Sequence, residues 1–106
     1  MNVQFKKGVL ELCVLAILNT QDRYGYEIIQ RISAQMDISE GSAYPLLRRL
    51  TKEGYFTTYL QESSEGPPRK YYRLTDEGRK RMYELQKEWD AFVESVNQLV
   101  KEGMAK

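Results

Sequence analysis

The side chains best suited to chemistry in this chain are cations gathered near its middle. Arg48, Arg49 and Lys52 stand in the run Ser39–Gly54 (S-E-G-S-A-Y-P-L-L-R-R-L-T-K-E-G), and Arg69 and Lys70 follow two prolines in G-P-P-R-K. Residues 45–81 carry nine basic and five acidic side chains, a net of +4, whereas residues 1–44 and 82–106 carry −1 and −2. The overall charge of +1 hides this segregation. Positive charge collected in one stretch is the footprint of a surface that meets a polyanion.

Other chemistries lack their reagents. With no histidine there is no imidazole base and no His-ligated metal, and the single Cys13 cannot build a cysteine cluster. The seven glycines are isolated, so no phosphate loop forms, and no pair of carboxylates stands in an apolar setting that would tune it. The chain is therefore expected not to be an enzyme and to need neither metal nor cofactor. Val9–Leu18 is apolar but only ten residues long, too short to span a bilayer, and no cleavage site follows it. The cytoplasm, with no membrane partner, is the expected location. Cys13 lies in that apolar run and is expected to pack as a small hydrophobe.

The cations need rigid elements to position them. In Ser39–Gly54, Leu46, Leu47 and Leu50 form an apolar stripe at helical spacing, and Gly54 ends the helix as a C′ glycine. Ser39 or Ser42 can cap it. Pro45 is tolerated only in a first turn, which favours Ser42 as the cap. Ser42, Tyr44, Arg48, Arg49 and Lys52 then share the outer face. Alone, this stretch is equally compatible with a core helix whose basic face is merely solvated. Its surroundings favour binding.

A first helix is expected over about Phe5–Asn19. Its residues Val9 to Leu18 are apolar on nearly every side, which implies covering by a second subunit, against the alternative of a central helix within one monomer. Tyr24–Met36 reads as a second helix with Ile28, Ile29, Ile32 and Met36 inside, and Asp37-Ile38-Ser39 as a tight turn. These elements make a helix-turn-helix, whose later helix enters the major groove. Tyr55–Leu60 and Arg69–Leu74 then read as strands around a stiff turn, Gln61–Pro68. That hairpin is a wing, and it delivers Arg69 and Lys70 to phosphate or minor groove. Tyr71 and Tyr72 alternate, so one faces inward.

Thr75 is expected to cap a last helix running to about Lys101. Met82, Leu85, Trp89, Phe92, Val96 and Leu99 follow at spacings of three and four, a heptad seam, widened by Val93 and Val100. About 26 residues of helix span ~39 Å, longer than a small winged domain can cover, so the seam reads as a dimer contact. The expected fold is mostly α with a small β-hairpin, divided into a winged helix-turn-helix at 1–74 and a dimerisation helix at 75–106.

Y-G-Y-E-I at Tyr24–Ile28, S-A-Y-P-L-L-R-R-L at Ser42–Leu50, K-E-G at Lys52–Gly54 and G-P-P-R-K-Y-Y-R-L-T-D-E-G at Gly66–Gly78 resemble PadR-type transcriptional regulators. The resemblance covers about Val9 to Leu99 and, having one C-terminal helix, matches the short subgroup. It implies a dimeric repressor of a pseudo-palindromic double-stranded operator, released by a ligand or another signal. Ser42-Ala43 stands where the family often has Thr-Leu, a difference bearing on base preference and not on fold. By position, the DNA-facing residues are Ser42, Tyr44, Pro45, Arg48, Arg69 and Lys70. Some short members bind flat aromatic drugs between paired tryptophans, and Trp89 is similarly placed. Trp89, Glu11, Leu12 and Val93 thus form a candidate site for a planar aromatic molecule, with Glu88 and Asp90 as further carboxylates. The residues themselves leave Trp89 equally open as a packing residue. Two other readings of the whole chain remain: an aromatic-drug sensor and a winged-helix protein–protein adaptor.

Overall fold

The computed structural model describes residues 3–105, with side chains from Gly8 onward. The outer limits of the expected units, residues 1 and 106, lie outside the described residues. Its elements are α1 (Val3–Thr20), β1 (Arg23–Tyr24), α2 (Gly25–Ser33), α3 (Glu40–Lys52), β2 (Phe56–Ser63), β3 (Gly66–Leu74) and α4 (Asp76–Met104). This is a winged helix-turn-helix followed by a long C-terminal helix.

The core takes Val14, Leu15 and Leu18 from α1, Ile28 and Ile32 from α2, and Leu47 and Leu50 from α3. Phe56, Tyr72 and Leu74 close it from the sheet, and Met82 and Leu85 from α4. The all-apolar α1 is accordingly covered in large part by its own protomer. Ala16 is exposed, and Val9, Leu12, Cys13 and Ile17 are half-buried. Burial pushes the Cys13 thiol above its ordinary value.

α2 is shorter than the sequence suggested: it stops at Ser33, and Tyr24 leaves it to pair with Tyr71 of β3, next to Arg23 on Tyr72. The wing is thus a three-stranded antiparallel sheet in the order β1-β3-β2, not a lone hairpin. Tyr24 is the extended N-cap of α2, and its N–H donates to Glu27 Oε1 at 3.3 Å. At the other end Gln35 and Met36 N–H groups both reach Ile32 O, turning the chain out of the helix before Met36.

α3 begins at Ser39, not Ser42. Ser39 has the extended backbone of an N-cap, Ser42 N–H donates to its carbonyl at 3.1 Å, and the two hydroxyls meet at 3.2 Å. Pro45 therefore lies inside the helix, past the first turn where it would be harmless. Its neighbour four residues back, whose carbonyl a proline ring crowds, is the permissive Gly41. The C-terminus is as expected. Gly54 adopts φ +86°, its N–H donates to Thr51 O, and Tyr55 N–H donates to Leu50 O at 3.0 Å, a Schellman closure.

The β2–β3 ladder runs from Phe56↔Leu74 to Ser63↔Gly66. The tip is only Ser64-Glu65, and the expected Gln61–Pro68 turn is absorbed into the strands. Pro67 and Pro68 are accommodated because this outer part of β3 has β2 on one side only, opposite a ladder irregularity between Gln61 and Ser63. Tyr72 is the inward tyrosine and Tyr71 the outward one.

Thr75 starts α4 and locks it to the end of α3. Its Oγ1 accepts from Gly78 N–H at 3.0 Å and donates to Gly54 O at 2.7 Å, while its N–H donates to Tyr55 O at 3.0 Å. Gly78 packs so closely here that a Cβ would overlap the Tyr55 carbonyl and sit 2.6 Å from Leu74 Cδ1. α4 continues past Lys101 to Met104, and the molecule measures 61 × 27 × 21 Å.

Candidate nucleic-acid interface

The positively charged middle of the chain divides into two sets of cations. Arg49 bonds both carboxylate oxygens of Glu53 (3.1 and 3.2 Å) and Glu11 Oε2 (3.3 Å). Arg81 Nε donates to Glu11 Oε1 at 3.1 Å, Arg73 Nε to Asp22 at 3.0 Å, and Arg79 to Asp76 at 3.0 Å. For Arg49, burial lowers the guanidinium pKa, but the bonds and Coulomb attraction to Glu53 and Glu11 outweigh it and the net shift is upward. These arginines are committed to the fold. Arg49, read from sequence as part of the outward face, is one of them.

Arg48, Lys52, Arg69 and Lys70 make no ion pair among the described residues and are exposed. Three of them converge. A cleft of about 400 Å³ opens between the start of α2, the flank of α3 and the wing. Tyr24, Gly25 and Tyr26 line it from the first, Tyr44 and Arg48 from the second, and Arg69, Lys70 and Tyr72 from the third. Among the described residues no carboxylate lines it. Its floor is tight, since a Cβ on Gly25 would come 3.3 Å from Tyr44 Cε1 and 3.6 Å from Tyr72 Cε1. Burial, then the neighbouring Tyr44, push the Tyr72 phenol above its ordinary value, and Arg48 opposes them. Ser42 and Pro45 are exposed on α3 but do not line the cleft, while Tyr44 is half-buried in its wall. Such an arrangement can grip a strand of phosphates while presenting a helix face beside it.

Sequence reasoning missed what holds Arg69. Tyr24 of β1, Tyr71 of β3 and Tyr59 of β2 are register partners, and their rings form one row, each step 5.6 Å between centroids. Arg69 lies over Tyr24 at 4.5 Å and Arg73 over Tyr59 at 5.0 Å. Tyr59 OH donates to Asp22 Oδ2 at 2.8 Å, the oxygen Arg73 also uses. That hydrogen bond, followed by desolvation, raises the Tyr59 pKa. The alternation Arg69, Tyr71, Arg73 along one strand was the only available signal; Tyr24 was hidden by its apparent place in a helix.

The second candidate region surrounds Trp89, whose ring stacks with Phe92 at 6.3 Å. A groove of about 270 Å³ between α1 and α4 contains Leu12, Leu85, Glu88 and Trp89. A second of about 320 Å³ runs along α4 past Trp89, Asp90 and Val93. Leu12 and Val93 thus line different grooves, each shared with Trp89. Glu11 lines neither groove. It is 5 % exposed and turned toward Arg49 and Arg81. Met82 and Leu85 lie in the protomer's core, whereas Trp89, Phe92, Val96 and Leu99 are exposed. No group of three or more potential metal ligands occurs among the described residues, and no described helix is long and apolar enough to cross a membrane.

A family model of the transcriptional regulator PadR-like family matches residues 14–84, which span the whole helix-turn-helix, the wing and the start of α4. The chain belongs to the PadR-like family. A PadR-like transcriptional regulator from Bacillus cereus strain ATCC 14579 superimposes with a TM-score of 0.82 at 41% identity, covering 92% of this chain and 96% of that one. A structure from Streptococcus mutans UA159 gives 0.84 and 41%, covering 90% and 89%. A Lysinibacillus sphaericus protein is 38% identical over 102 residues, 92% of this chain and 93% of its own. As a PadR-type chain, this protein is a DNA-binding transcriptional regulator and not an enzyme.

Proposed function

We propose that the protein is a homodimeric, sequence-specific repressor acting in the cytoplasm, which reads a pseudo-palindromic operator and is released by a planar aromatic molecule bound beside Trp89. In this reading Ser42, Tyr44, Pro45 and Arg48 present α3 to the major groove, and Arg69 and Lys70 grip the flanking backbone. The observation that carries it is the convergence of Arg48, Arg69 and Lys70 on one cleft without a carboxylate, next to the exposed start of α3. Residues 75–106 act as the dimerisation unit. The exposed stripe Trp89, Phe92, Val96 and Leu99 supports that role, and two such stripes would bring the Trp89 grooves of both protomers together.

Fluorescence anisotropy on duplex DNA from the gene's own upstream region, against scrambled duplex and across a salt series, tests it. Specific retention with a steep salt slope is expected. Arg48→Ala and Lys70→Ala should each weaken binding by about 1–3 kcal/mol with unchanged melting. Full operator affinity in both variants at near-physiological salt would remove the assigned surface. Equal binding to both duplexes would remove sequence specificity.

A further inference from the structure

Arg69 is not a loose cation at the wing tip. It pairs in register with Gln61, the last regular pair before the ladder irregularity, and its guanidinium lies 4.5 Å from the centre of the Tyr24 ring. Tyr24 is itself the N-cap of α2 and the partner of Tyr71 in the sheet. The ring row then continues through Tyr71, which is stacked on Tyr59 with 18° between planes, and ends at Asp22. Asp22 sits in the link between α1 and β1, and it also holds Arg73 at 3.0 Å. A ribbon of two strands is marginal in water. Here a third strand only two residues long, together with a row of rings, fastens it to the helix-turn-helix body.

We infer that Tyr24 is a positioning residue for DNA recognition: it carries the Arg69 guanidinium on its ring, and the Tyr24–Tyr71–Tyr59–Asp22 row fixes the wing so that Arg69 faces the cleft shared with Arg48. The inference rests on the proposed role of Arg69 in gripping DNA. An arginine already stacked on an aromatic face loses less rotamer freedom when it meets phosphate. Planar stacking, not charge alone, is therefore what Tyr24 supplies. The phenol oxygen of Tyr24 has no part in this, so phenylalanine should replace it.

The test is a double-mutant cycle on upstream duplex DNA, read by anisotropy across a salt series. Arg69→Ala should weaken binding about tenfold and lower the salt slope by about one, because one phosphate contact is removed. Tyr24→Leu should weaken it three- to tenfold with the slope kept, since the charge remains. Tyr24→Phe should bind within about twofold of the parent. The double variant Tyr24→Leu/Arg69→Ala should be no weaker than Arg69→Ala alone. Additive losses, or parental affinity in Tyr24→Leu with Arg69→Ala impaired, would overturn the positioning role. Parental affinity in Arg69→Ala would instead sink the wing assignment and this inference with it. Should Tyr24→Leu fail to fold, Arg69→Lys decides: it keeps the charge and loses the flat guanidinium, so weaker binding supports the inference and parental binding overturns it.

Discussion

The two halves of α4 follow one rule in sequence and meet opposite fates in space. Apolar residues recur every three or four positions from Met82 to Leu99 without a break. Met82 and Leu85, in the near half, are buried against α1 and the sheet, and Gly78 touches the backbone of Tyr55. In the far half the same stripe emerges into solvent, with Phe92 at 48 %, Leu99 at 68 % and Met104 at 80 % exposure. Periodicity states which face of a helix wants covering. It does not state what covers it, because burial depends on where the rest of the chain runs out. α1 still flanks α4 at the groove where Gly8 and Val9 stand with Trp89 and Phe92, and past it Val96, Leu99 and Met104 lie exposed.

Perturbing each half should break this contrast in a characteristic way. The largest effect is expected from Gly78→Ala. The added Cβ meets a carbonyl oxygen that is held by Thr75 N–H and cannot retreat, so the junction of α3, β2 and α4 must open. A loss of about 3 kcal/mol in chemical denaturation is expected, with a melting point reduced accordingly. Melting like the parent would mean that the junction yields more easily than its bonds imply. In the far half, Val96→Asp should separate the protomers of the proposed dimer while leaving the winged core folded, because Val96 is exposed and lies outside the core cluster. Sedimentation velocity should show a monomer, and circular dichroism should retain the helical signal. A Val96→Asp variant that remained a dimer would move the subunit contact away from this stripe.

Local chemistry was legible in the sequence, and distant pairing was not. Gly54 and Thr75 announced their helix ends because a positive φ and an N-cap are satisfied within a few residues. Ser39 displaced Ser42 as the cap because the start of α3 is set by the turn from α2, which overrode the preference for placing Pro45 in the first turn. Tyr24 looked helical since Y-G-Y-E-I carries a helix start. The strand it joins lies nearly fifty residues on, and only the fold brings Tyr71 beside it. In the candidate interface, Arg48, Arg69 and Lys70 were identifiable as cations near one another, but their separation from Arg49 and Arg73 was not. That depends on Glu11 and Asp22, which lie 38 and 51 residues away from the arginines they neutralise.

Glu11 offers the finest test of how the two halves of α4 differ. Its carboxylate, 7 % exposed, receives Arg81 from the near half of α4 and Arg49 from α3, so one buried acid ties three helices together. Glu11→Gln keeps the shape and removes the charge. Breaking a buried pair from one side costs about 3–5 kcal/mol when the abandoned charge has nowhere to go. Here Arg49 keeps Glu53, Arg81 keeps Glu84 at 3.8 Å, and both guanidinia reach solvent, so about 1–2 kcal/mol is the expected loss. The loss should appear as a lower denaturation midpoint, with the sedimentation of the proposed dimer unchanged, since the far half has no part in the triad. Operator affinity should fall only slightly, because Arg48 and not Arg49 faces the cleft. A Glu11→Gln variant that dissociated into monomers would show instead that the near half transmits its packing along α4, and the division between the two halves would then be one of exposure alone.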